Sequence, residues 1–122
     1  MYKKILIATD GSATAAKAAE RGVSLAKDAG AAVILLCVGE TPASENVARK
    51  VASELPGSVP ITTMARAGDP ADVICTVAEE EKVDLIVVGN KGMNDAKRFL
   101  IGNVPNQVSH HAPCNVLIVK TT

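Results

Sequence analysis

Four short runs constrain this chain's fold more than any other feature: "KILIAT" (4–9), "AVILLCV" (32–38), "DLIVVG" (84–89) and "NVLIVK" (115–120). Each is apolar at consecutive rather than alternate positions and rich in Ile, Val and Leu. A strand is apolar on both sides only where both faces of its sheet are covered, the pattern of a parallel sheet flanked by helices. A fifth run, "PITTMAR" (60–66), is more polar and reads as a weaker strand. Helical patterns fill the gaps. Residues 13–29 carry Ala15, Ala19, Val23 and Ala26 on one face, with Gly30 as the stop. Residues 44–55 space Val47, Val51 and Leu55 four apart behind Ser44 as cap, and 70–82 begin with Asp69 as cap and Pro70 at the first helical position, then bury Val73 and Val77. A last short helix falls at about 103–111, and Pro113 ends it before the final strand. Five strands alternating with four helices predict one domain over residues 1–122: a doubly wound α/β fold with a five-stranded parallel sheet and helices on both faces.

The strand order follows from polarity. An order of 2-1-3-4-5 would bury the third strand in the middle of the sheet, whereas 3-2-1-4-5 puts it at an edge. Pro60, Thr62, Thr63 and Arg66 suit an edge. The order 3-2-1-4-5 is therefore expected, and its topological switch point lies between strands one and four. Ligands of open α/β sheets bind there, beyond the carboxyl ends of the flanking strands.

Both flanking strands end in unusual sequence. Strand one runs into Thr9 and Asp10 of "TDGS" (9–12), and strand four opens into "GNKGMNDAKRFLIGNV" (89–104). Gly89 and Gly92 would let this backbone approach a ribose or phosphate, and Gly102 leads into a helix whose first N–H groups, at Asn103 and Val104, suit an anion. Lys91, Lys97 and Arg98 add positive charge to the segment, and Asp10 could accept hydrogen bonds from a ribose hydroxyl or a base amine. Each feature has a plainer reading: a turn glycine, a helix cap at Asp10 or Ser12, a solvated basic face. Their convergence on one crevice favours a ligand site.

Composition narrows the ligand and partner. Thirteen basic and thirteen acidic residues balance, which disfavours nucleic acid and anionic membranes. Aromatic residues are 2% of the chain, too few for stacking platforms. No apolar run is long enough for a membrane span, and the start lacks the pattern of a secretory leader. Cys37, Cys75 and Cys114 are odd in number and contain no CxxC pair, as expected of reduced thiols in a cytoplasmic protein. His110, His111 and Cys114 lack a fourth metal ligand, so no metal site is expected. No P-loop and no G-x-G-x-x-G after strand one is present, nor a nucleophile–base constellation, so no catalytic residues are assigned. An enzyme is not expected beyond a very slow ATPase.

The spacing G-x-x-G, nine residues, then G, followed by a short helix and "HAPCNVLIV", resembles the universal stress protein family. The opening "ILIATDGS" is similar to that family's first strand and acidic turn, and the likeness runs over the whole chain. It implies a homodimer, here through the strand at 115–120, and a regulatory or stress-response role. In the nucleotide-binding branch it also implies an ATP site, with or without Mg2+; AMP or cyclic AMP are the alternatives, and other members carry no nucleotide and act through protein contacts. By position, Asp10 and the Val38 backbone would hold the adenosine, and Gly89, Gly92, Gly102, Asn103 and Val104 would line the ribose and phosphates. Two departures stand out. Asn103 occupies a position where the family has Ser or Thr, and the region 39–59 is shorter than in many ATP-binding members.

Overall fold

The computed structural model describes residues 1–91 and 103–121. Its elements alternate along the chain: β1 (Lys4–Thr9), α1 (Ala13–Ala29), β2 (Ala32–Val38), α2 (Ala43–Ser53), β3 (Ile61–Arg66), α3 (Pro70–Glu80), β4 (Leu85–Gly89), α4 (Asn103–His111) and β5 (Asn115–Val119). All strand pairs are parallel and the order is β3-β2-β1-β4-β5. The polar run 60–66 is indeed an edge, paired among the described residues with β2 alone. No described helix is long and apolar enough to cross a membrane.

The consecutive apolar residues of the strands divide between two cores. Ile5, Ile7, Val33, Leu35, Leu85 and Val87 pack with Ala19, Val23 and Ala26 of α1 and Val51 of α2. The intervening Leu6, Ala8, Ile34, Leu36, Ile86 and Val88 pack with Ile74 and Val77 of α3 and Val104 and Val108 of α4. Side chains alternate across a strand, so two covered faces require an unbroken apolar run. Helix α1 lies especially close to β1, because a Cβ at Gly22 would stand 2.9 Å from Ile7 Cγ1. The periodicity of α1 does not reveal that contact.

The helix boundaries repay comparison with expectation. Ser12 caps α1 by accepting the Ala15 N–H, and Gly30 ends it at φ 71. Asp69 caps α3 by accepting the Asp72 N–H, with Pro70 next. The expected end at residue 82 is two residues too late: Lys82 takes φ 55, and the Val83 N–H bonds back to the Ala78 carbonyl, closing the helix. Val73 is only half-buried. The expected Ser44 cap of α2 is also corrected. Pro42 is the N-cap and makes no side-chain cap bond, while Ser44 is buried inside the first turn and hydrogen-bonds with the Cys37 side chain. Ser44 falls two residues past the cap position, inside the helix, and there it meets the buried Cys37 of β2 instead.

A crevice at the strand one–strand four switch point

Connections through α1 and α2 carry the chain from β1 outward to β3. The connection through α3 then returns it across the sheet to β4, on the other side of β1. The pairing Ile5–Leu85, Leu6–Ile86 and Ile7–Val87 keeps the two strands level. Their carboxyl ends therefore finish together, and a crevice opens beyond them. Its apolar floor comes from Ala8 and Val88, with Ala15 of α1 beside them. Asp10, Gly89 and Lys91 contribute the polar and backbone surface, and Val104 and Pro105 bring in the first turn of α4.

The β1 side is a self-satisfied turn. Thr9 is fully buried and its hydroxyl accepts the Gly11 N–H at 3.1 Å. Asp10 Oδ1 accepts the Ser12 N–H at 2.9 Å, leaving its carboxylate exposed and fixed in direction. Gly11 has φ 82, and a Cβ there would lie 2.8 Å from Val47 Cγ1 of α2. Only glycine fits both the torsion and the contact.

The β4 side is built differently. Gly89 admits the Lys91 carbonyl, which would stand 3.3 Å from an added Cβ. Asn90 turns away from the crevice: its Oδ1 accepts both the backbone N–H and the hydroxyl of Thr121, each at 2.9 Å, and its own N–H donates to the Val119 carbonyl. Lys91 ends in an Nζ that is buried and has no hydrogen-bond partner among the described residues. Helix α4 starts at Asn103, which is exposed, followed by the buried Val104. Pro105 stands in the first turn, where a missing N–H costs no helical bond. It also removes one donor from the helix end expected to face an anion, a subtraction that sequence reasoning overlooked although the proline is plain in "GNVPN".

The crevice thus brings together Asp10, Gly89, Lys91 and Val104 of the expected site. Thr9, Val38 and Asn103 are not among its described lining residues. Thr9 serves the turn beneath it, and Val38, half-buried at the end of β2, packs against the α3–α4 core. Gly92 and Gly102, with Lys97 and Arg98, lie outside the described residues. The space among its lining residues, open solvent at the mouth included, is about 280 Å3, and about 10 Å3 of it admits the centre of a water molecule. That is room for roughly one water, about 10–15 Å3 on this measure. A nucleotide would have to widen it.

Nearby, Cys37 is 4% exposed, and burial pushes its thiol above the ordinary value; the Asp10 carboxylate acts in the same direction and the Ser44 hydrogen bond opposes it. Burial likewise raises Cys75 and Cys114. All three are free thiols, and among the described residues no group of three His, Cys, Asp or Glu side chains could hold a metal ion.

Comparison with known proteins agrees with this architecture. The model of the universal stress protein family matches residues 1–57 and 43–120. A relative from Staphylococcus haemolyticus, named for that family, is 34% identical over 141 aligned positions, covering 98% of this chain and 86% of its own. The alignment exceeds the chain by at least 19 positions (141 − 122), and the two family matches overlap at 43–57, around α2. Among solved structures, a universal stress protein in complex with cAMP superposes with a TM-score of 0.83 at 28% identity, covering 99% of this chain and 98% of its own. The universal stress protein UspA from Lactobacillus plantarum gives 0.79 at 28% identity, covering 98% of each chain. The chain belongs to the universal stress protein family.

Proposed function

We propose that this protein binds an adenine nucleotide at the β1–β4 crevice and acts as a regulatory stress-response protein. The observation that carries this reading is the convergence of Asp10, Gly89, Lys91 and the start of α4 on one switch-point crevice. A fixed carboxylate, a buried ammonium and a helix N-terminus match a ribose or amine at one end and a phosphate at the other. The cyclic nucleotide held by one similar structure supports the same ligand class. ATP, AMP and cyclic AMP share the required chemistry, and any Mg2+ would be carried by the phosphates, since Asp10 is the only carboxylate among the described lining residues.

A second reading, a nucleotide-free protein acting through protein contacts, draws support from how little room the crevice has. Both readings include a homodimer through β5. Among the described residues that strand pairs only with β4, and its Val116, Leu117, Ile118 and Val119 are half-buried, so a second copy would cover an apolar edge. The three free thiols suit a reducing compartment such as the cytoplasm.

Thermal unfolding with ATP, ADP, AMP and cyclic AMP separates the two. Ligand at about 100 times its Kd stabilises a fold by about 2.7 kcal/mol, on the order of 10 °C for a domain of this size. A melting curve unmoved by millimolar amounts of all four leaves the nucleotide-free reading.

A further inference from the structure

Two walls of the crevice are joined by a residue that does not line it. Ala15 of α1 belongs to one wall, and Gly89 and Lys91, in the lip after β4, belong to the other. Thr121, two residues beyond the end of β5 and 6% exposed, reaches both. Its N–H and its hydroxyl each donate to Asn90 Oδ1 at 2.9 Å, so the lip residue between Gly89 and Lys91 is held by two bonds. A Cβ on Gly89 would stand 3.6 Å from the Thr121 methyl group and 3.8 Å from Ala18 Cβ of α1, so lip, residue 121 and helix meet there. The Thr121 carbonyl accepts from Lys17 Nζ of the same helix at 3.4 Å. These contacts fix the separation of α1 and the lip. Because the space between the walls is water-sized, a larger ligand enters only when they yield.

We propose that Thr121 is a latch on this crevice: it ties the lip after β4 to α1, and its release accompanies ligand entry. The proposal rests on the nucleotide-binding reading above and deepens it by naming what regulates access to that site. The latch makes no ligand contact of its own. It acts by setting the share of molecules whose crevice is open, and a ligand that binds only the open form has its apparent Kd raised by the inverse of that share. Weakening the latch therefore tightens binding, the opposite of what losing a ligand contact does. Binding in turn loosens residue 121, because coupling between two equilibria is reciprocal.

Amide exchange and calorimetry on the whole protein, on Thr121→Val and on Asn90→Ala test this. Thr121→Val keeps the side chain's shape and its N–H bond but drops the hydroxyl bond, whereas Asn90→Ala drops both. Without ligand, the Asn90 N–H, which donates to the Val119 carbonyl, and the Thr121 N–H should exchange together in the wild type. Both should exchange about two- to tenfold faster in Thr121→Val, the scale of one net hydrogen bond. Acceleration at Thr121 with Asn90 unmoved would show that the lip is not tied to it, and the latch falls whatever the crevice binds. Saturating the wild type with AMP or ATP should speed exchange at Thr121, and both variants should bind about two- to tenfold more tightly. Slower exchange at Thr121 on binding, or folded variants of equal or weaker affinity, overturns the latch and leaves the nucleotide reading standing. If neither nucleotide binds any of the three proteins but Asn90 and Thr121 open together, the nucleotide reading falls and the latch on the lip stands. If they also open separately, both fall.

Discussion

The two turns that flank the switch point are opposites. After β1, polar groups are largely engaged in the backbone: Thr9 holds Gly11, Asp10 holds Ser12, and Ser12 holds the start of α1. After β4, Asn90 is turned outward to clamp the tail at Thr121, and the Lys91 ammonium is buried without a described partner. Similar positions in the fold therefore carry different duties. The first turn is a brace whose carboxylate is held in one direction by its own chain. The second buries an ammonium that has no hydrogen-bond partner among the described residues and that faces the crevice. A satisfied turn can be lost only at the expense of stability, whereas an unsatisfied one trades stability for binding.

Breaking the brace gives the largest expected effect. Gly11→Ala forces an L side chain to φ 82 and drives its Cβ to within 2.8 Å of Val47 Cγ1. Val47 is β-branched and in a helix, so it has little rotamer freedom with which to retreat. Torsional strain of about 1–2 kcal/mol and overpacking of about 1–3 kcal/mol together predict a loss of about 2–5 kcal/mol, read from the urea midpoint. A loss below about 0.5 kcal/mol, the scale of an ordinary surface exchange, would mean that α2 does not bear on this turn.

The second turn should yield less. Asn90→Ala removes the acceptor of both Thr121 bonds, and Thr121 is 6% exposed. The expected cost is about 1–2 kcal/mol, one to two net hydrogen bonds. Amide exchange at Thr121 should speed up in step, because that N–H loses its partner. Unchanged exchange would show that the tail is held by something else and that Asn90 is available to the crevice.

How much of this was legible in the sequence depends on how local the controlling contact is. The two-faced sheet follows from its consecutive Ile and Val residues, and its order from the threonines and Arg66 of β3; both are properties of a strand's own sequence. Gly30 and Asp69 act within a few residues of themselves, and their roles were legible too. Ser44 misled because its partner, Cys37, lies on the neighbouring strand. Gly22 gave no signal because Ile7 meets it from β1. Lys91 was readable as a charge near the crevice, but its buried and unpartnered state depends on the packing around it. Asn103, the departure from the family pattern, is exposed at the start of α4, and Pro105 two residues later withholds a donor.

The finest test of the comparison is Asp10→Asn, because it separates brace from site at one atom. The amide retains an acceptor oxygen that can still receive the Ser12 N–H, so the local turn keeps its bond. Stability should change by no more than about 0.5 kcal/mol, the range for surface exchanges away from special features. Binding should respond more. A carboxylate accepts with both oxygens and carries charge, whereas the amide presents one acceptor and one donor group, and the donor faces the same way as a ribose hydroxyl or base amine. A hydrogen bond to a charged group contributes about 1.5–3 kcal/mol, so adenosine and AMP should both weaken by about tenfold or more. If Asp10→Asn leaves both affinities unchanged in a folded protein, Asp10 belongs wholly to the brace, and the ligand is held from the β4 side and α4 without it.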